Sequence, residues 1–128
     1  MGLSMTVLAV LALYLLQLFL QETSRFGFDL GGIVGNRDRL PPLSVYAGRL
    51  ERAKDNMREA LPLFLGLAML SLVRPEVPEL ARQGALFFLV ARVLYVPAYL
   101  SGVPLLRSVL WLSGIAGLLM MGWPILAG

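Results

Sequence analysis

Three short patterns in this chain place polar groups at helical spacing. Arg49, Arg52, Asn56 and Glu59 recur in steps of three and four. At roughly 100° per residue they fall within an arc of about 80° on one helix. Farther on, Arg92, Tyr95 and Tyr99 stand at i, i+3 and i+7, and Arg107 lies one turn before Trp111 with Ser108 beside it. Guanidiniums, phenols, an amide and a hydroxyl are the groups that bind an anion, orient it and donate hydrogen bonds to it. The chain has no Cys and no His. That removes disulfides, thiolate or imidazole metal sites, a cysteine nucleophile and a Ser-His-Asp triad. Any chemistry must come from Arg, Tyr, Ser, Asn and carboxylates, or from a reactive group carried by a ligand.

The elements that must position these groups follow from composition. Of the 128 residues, 58% are hydrophobic and only 15% charged, with a mean hydropathy of +0.76. An ordinary soluble domain is nearer ~45–50% apolar and ~25% charged. The apolar residues are also segregated: 3–21 carries no charge, and 103–128 carries only Arg107. About 20 apolar residues make a helix long enough to cross a bilayer core of roughly 30 Å. No alternation of polar and apolar residues supports membrane strands. The first block has no Lys or Arg ahead of it, and Gln21-Glu22-Thr23 rather than small residues behind it, so it is read as a retained helix and not a signal peptide. The expectation is an all-α membrane protein: one transmembrane domain over 1–128, built as a four-helix bundle. Net charge is +3 with the basic residues dispersed, which gives a nucleic-acid partner little support.

The first helix is expected at about 2–21. The connection 22–43 is rich in glycine and ends in Pro41-Pro42. Its Gly31-Gly32-Ile33-Val34-Gly35-Asn36 stretch lacks the Lys-Ser/Thr pair of a phosphate loop. The next apolar run, Ala60 to Val73, is only 14 residues, too short to span. Its helix must begin earlier, at about 44–73 with Ser44 as N-cap, and so carries Arg49, Arg52, Asn56 and Glu59 toward the membrane. A third helix is expected at about 78–100, kinked at Pro97, and a fourth at about 104–126. The first connection and the start of helix two hold seven of the 11 basic residues. By the positive-inside rule that connection is cytoplasmic, as is the third, and both termini lie outside.

All three polar stripes then sit near the cytoplasmic ends of their helices, where a bundle can bring them to one basic pocket. An ionisable group at the bilayer centre costs at least ~2.5–3.5 kcal/mol, less near the interface. Two readings stay open. Arg49, Lys54 and Arg58 read as snorkelling interfacial residues, the aromatic residues as an interfacial belt, and Glu59 as a structural partner for one arginine. Alternatively Arg52, Arg92 and Arg107 surround a bound anion, which the cost of placing several such groups together favours. Gly114 and Gly117 read as helix-packing contacts.

Helix two reads Arg52-Ala53-Lys54-Asp55-Asn56-Met57-Arg58-Glu59, followed by Leu61-Pro62-Leu63-Phe64. This resembles the Arg-Ala-x-x-Asn-x-x-Glu…Pro-x-Phe signature of the MAPEG family, the membrane-associated proteins in eicosanoid and glutathione metabolism. Arg92-x-x-Tyr95-x-x-Ala98-Tyr99, then Pro104-x-x-Arg107-Ser108-x-x-Trp111, resembles the family's second block. The short loops and the Gly35-Asn36-Arg37-Asp38…Pro41-Pro42 lead-in are most similar to its bacterial branch. The chain departs from the pattern at Asp55, where many members have a second Arg. Tyr95 stands for the His of some members, and one residue fewer separates Tyr99 from Arg107 than in some relatives.

The resemblance implies a homotrimer in the bacterial inner membrane that takes glutathione as co-substrate, without a metal. In its terms Arg52, Asn56 and Glu59 hold the charged ends of the peptide, and Arg92 and Tyr95 line the same site. Arg107, Ser108 and Tyr99 face the sulfur. The activity implied is a glutathione transferase or peroxidase acting on lipophilic electrophiles dissolved in the bilayer beside helices one and four. The alternative is a non-enzymatic lipid-binding or scaffold protein of the same fold.

Overall fold

A computed structural model describes residues 1–25 and 45–128. It contains four helices, α1 (Leu3–Arg25), α2 (Val45–Leu72), α3 (Glu79–Ser101) and α4 (Pro104–Ala127), and no strand among the described residues. The expected Ser44 cap, the glycine-rich stretch and most of the 22–43 connection lie outside the described residues. α1 runs to Arg25, four residues beyond its expected end. Its added turn stays hydrogen-bonded: the Thr23 hydroxyl donates back to the Phe19 carbonyl at 2.9 Å and to Leu20 at 3.2 Å. A polar residue inside a helix is tolerated when it bonds back to the preceding turn in this way.

α1, α3 and α4 are each long and apolar enough to cross a membrane. α2, at 28 residues, is about 42 Å long at ~1.5 Å per residue; only its second half is continuously apolar. Exposed Leu15, Phe19, Leu63, Leu119 and Leu126 face outward from the bundle. Such an exterior suits hydrocarbon, where the backbone must satisfy its own hydrogen bonds within helices.

The helices alternate in direction. Arg82 on the first turn of α3 donates to the Met1 carbonyl, so α1 and α3 begin at the same end. Arg74, just past α2, reaches the Ile125 carbonyl near the end of α4. α2 and α3 form the central pair, with α1 packed across both on one side and α4 across both on the other; α1 and α4 do not touch.

Phe64 of α2 stacks on Phe88 of α3, with centroids 4.7 Å apart and planes 13° from parallel. Met57, Ala68, Ala85, Leu118 and Met121 fill the space around them. α3 and α4 approach most closely at Gly84 and Gly117: a Cβ on Gly84 would stand 2.6 Å from the Gly117 carbonyl oxygen. Small residues at such crossings let membrane helices gain van der Waals contact where no hydrophobic effect drives them together.

The short turn between α3 and α4 aligns the two site-bearing helices. Gly102 closes α3 in the left-handed region, at φ 76°, and its N–H donates to the Tyr99 carbonyl. Pro104 then opens α4, where its missing N–H would be unpaired in any residue. The Arg49 guanidinium packs against Gly102 and donates to the Leu100 carbonyl at 2.8 Å. Arg49 thus caps the C-terminal end of α3. α3 continues through Pro97 to Ser101 as a helix.

Candidate functional site

At the end of the bundle where α2 begins, the three polar stripes meet. Arg52 and Asn56 from α2, Tyr95 and Tyr99 from α3, and Arg107, Ser108 and Trp111 from α4 line an open cavity of about 310 Å³. Each helix delivers its residues on successive turns of one face. α1, which packs on the far side of α2 and α3, contributes nothing to the lining.

The aromatic rings hold the cations. The Arg107 guanidinium lies 4.9 Å from the Tyr99 ring centre and that of Arg52 lies 5.8 Å from the same ring. Tyr95 and Tyr99 meet edge to face at 5.6 Å. A cation over a phenol face gains about 0.5–2 kcal/mol, more as water is removed. Tyr99 is therefore within cation–π reach of both guanidiniums. The cavity lining holds two guanidiniums and no carboxylate among the described residues. That is an anion site by charge, with phenol, amide and hydroxyl groups to orient what binds.

Two of the residues expected to hold the ligand lie elsewhere. Arg92 stands behind the cavity rather than in its wall, 3% exposed. Its Nη1 donates to Asn56 Oδ1 at 2.7 Å and its guanidinium covers the Tyr95 ring at 4.3 Å. Glu59 is exposed and lines a separate, smaller hollow with Asn56, Ala60, Leu63, Trp111 and Ile115. It pairs with no arginine among the described residues. The sequence reading offered Glu59 as a structural partner for Arg92 or Arg107, but the buried guanidinium of Arg92 is met by Asn56 instead. Trp111 completes the lining. Its one-turn spacing from Arg107 was the signal for it, and its indole can equally serve as an interfacial anchor.

A second, larger hollow of about 610 Å³ lies farther along the same two helices. Leu63 and Leu67 of α2 and Ile115, Leu118, Leu119, Gly122, Trp123 and Leu126 of α4 line it. It is apolar throughout, apart from the indole of Trp123.

A bundle of apolar helices with a cationic hollow at one end is the architecture of an integral membrane protein. The MAPEG family model matches residues 1–127, nearly the whole chain, and the protein belongs to that family of membrane proteins of eicosanoid and glutathione metabolism. No curated protein and no solved structure matches it.

Proposed function

We propose that the protein is a glutathione-dependent transferase or peroxidase acting on lipophilic electrophiles, and that the cationic cavity holds the glutathione. One observation carries this reading: Arg52 and Arg107 face one hollow with Asn56, Tyr95, Tyr99 and Ser108, and among the described residues no carboxylate opposes them there. Glutathione brings two carboxylates, for which guanidinium is the preferred bidentate partner. It also brings the thiol that a chain without Cys lacks.

In this mechanism Arg52 and Asn56 hold the peptide's charged and carbonyl groups. Arg107 stands by the sulfur and stabilises the thiolate, with Ser108 or Tyr99 donating a hydrogen bond to it. A thiol near pKa ~8.5 loses its proton more readily beside a fixed cation, and the thiolate is the nucleophile. Its sulfur forms a bond to the electrophilic carbon of an apolar substrate while the leaving group departs with its bonding pair. With a hydroperoxide, sulfur attacks the terminal oxygen, the O–O bond breaks and an alcohol leaves. A second glutathione thiol then displaces water from the sulfenic acid to give glutathione disulfide. Glu59, exposed on the outer flank beside Trp111, is placed for a neighbouring subunit to cover, as a homotrimer in the bacterial inner membrane requires. The basic residues near the start of α2 support a cytoplasmic cavity, with both termini outside.

The test is an ultraviolet difference titration of the detergent-solubilised protein with glutathione, beside Arg107→Ala. Saturable thiolate absorbance in the parent that vanishes in the variant supports the reading. Equal conjugation of a model electrophile by both would remove Arg107 from its role.

The apolar hollow along α2 and α4 favours the second reading, a non-enzymatic lipid-binding protein of this fold. That reading expects lipid retained through purification and no glutathione-dependent turnover.

A further inference from the structure

Arg92 is the most deeply buried charge among the described residues, and it does not touch the cavity. An unneeded guanidinium at this depth would be expensive. One of its terminal nitrogens, Nη2, is buried with no hydrogen-bond partner among the described residues, and the other, Nη1, donates to Asn56. A guanidinium only donates, so the Asn56 atom that meets it must be the amide oxygen. This settles an orientation that side-chain amides otherwise leave to inference. Asn56 lines the cavity, and its Nδ2 makes no hydrogen bond among the described residues.

From this geometry we infer that Arg92 is a positioning residue, which acts on the ligand only through Asn56. By holding Oδ1 inward it commits Asn56 to present an N–H donor to the cavity, so the site selects a ligand with a carbonyl or carboxylate oxygen at that point. The Tyr95 ring, stacked against the same guanidinium at 4.3 Å, keeps Arg92 from swinging toward the cavity and taking the anion itself. With Arg92 removed, the Asn56 amide can turn over and offer oxygen to an anion that repels it. This inference rests on the glutathione reading for the identity of the ligand, and on geometry alone for the coupling of Arg92 to Asn56.

A double-mutant cycle tests it, using the parent, Arg92→Met, Asn56→Ala and the double variant, all full-length in detergent. Two quantities are read: the Kd for glutathione by calorimetry and the midpoint of thermal unfolding. Each single change is expected to weaken binding roughly ten- to a hundredfold, the range for one hydrogen bond to a charged group. The double variant should bind no more weakly than the weaker single, because both remove the same interaction. Among active variants, KM for glutathione should rise far more than kcat falls. Asn56→Asp discriminates further: its carboxylate still accepts from Arg92, so folding persists, yet it offers the cavity an oxygen and binding is lost.

Losses that add in the double variant would show that Arg92 reaches the ligand independently, and would overturn the inference. So would a folded Arg92→Met protein with unchanged Kd. If the parent itself binds no glutathione, the proposed ligand falls, and the unfolding midpoints still decide the pair. Non-additive shifts uphold the coupling and additive shifts end it.

Discussion

The two larger hollows between α2 and α4 have opposite chemistry. Near the start of α2 the facing residues are Arg52, Asn56, Arg107, Ser108 and Trp111, and α3 closes the hollow with Tyr95 and Tyr99. Two to three turns along, the facing residues are Leu63, Leu67, Ile115, Leu118 and Leu119, and no residue of α3 lines the space. The first is smaller and cationic, the second about twice as large and apolar. Backbone geometry does not separate them, since both are grooves between the same helices. The side chains on the facing turns do, together with the aromatic pair that α3 inserts at one end only. On the proposed enzyme reading the pair would hold a charged co-substrate beside an apolar one; on the lipid-binding reading only the apolar hollow would be used.

The strongest way to break this comparison is to remove Arg107, the cation proposed to stand beside the sulfur. Arg107→Ala should abolish the thiolate absorbance and lower turnover by on the order of a hundredfold or more, the scale of losing a charge-stabilising donor. The pH dependence follows from the same cation. If the bound thiol ionises below the free value of ~8.5, binding releases a proton. Glutathione affinity in the parent should then rise with pH from the bound pKa up to the free one and level off above it. In Arg107→Ala that rise should disappear, as proton release measured by calorimetry in buffers of different ionisation enthalpy will show.

Arg52→Ala should cost less, weakening glutathione binding about tenfold while leaving the thiolate signal intact at saturation. Calorimetry beside the spectral titration separates the two effects. The apolar hollow is probed by Gly122→Leu, which fills it from α4; a Cβ at that position would meet only Leu67 Cδ2, at 3.6 Å. KM for a long-chain electrophile should rise several-fold, on the order of 1 kcal/mol of lost apolar contact, and KM for a small water-soluble electrophile should not change. Equal effects on both would show that substrates do not use the apolar hollow. Smallest of all for the ligand is Arg49→Gln, which removes the cap on Leu100. It should lower thermal stability by about 1 kcal/mol and leave glutathione Kd within about twofold, marking the edge of the functional region.

The sequence by itself determined more of the fold than of the site. Long apolar blocks dictate membrane helices because hydrocarbon leaves the backbone no other hydrogen-bonding partner. Pro104, Gly102 and the charged turn after α2 punctuate the chain locally, and the described α3 and α4 run from Glu79 to Ser101 and from Pro104 to Ala127. α1 was misjudged because a polar stretch looks like a loop until Thr23 is seen bonding back to its own helix. The stripes too were legible, since helical periodicity alone places Arg92, Tyr95 and Tyr99 on one face.

Periodicity says which residues share a face but not which helix that face meets, or at what depth. Only the tertiary structure placed α2 and α3 at the centre with α1 and α4 apart. It put Arg92 behind Asn56 rather than beside Arg107, left Glu59 outside the cavity, and turned Arg49 to the end of α3. The reason is geometric: the neighbour that a helix face meets is set by how the helices cross, as at the close Gly84–Gly117 approach of α3 and α4, and a crossing is not written in the periodicity of either helix.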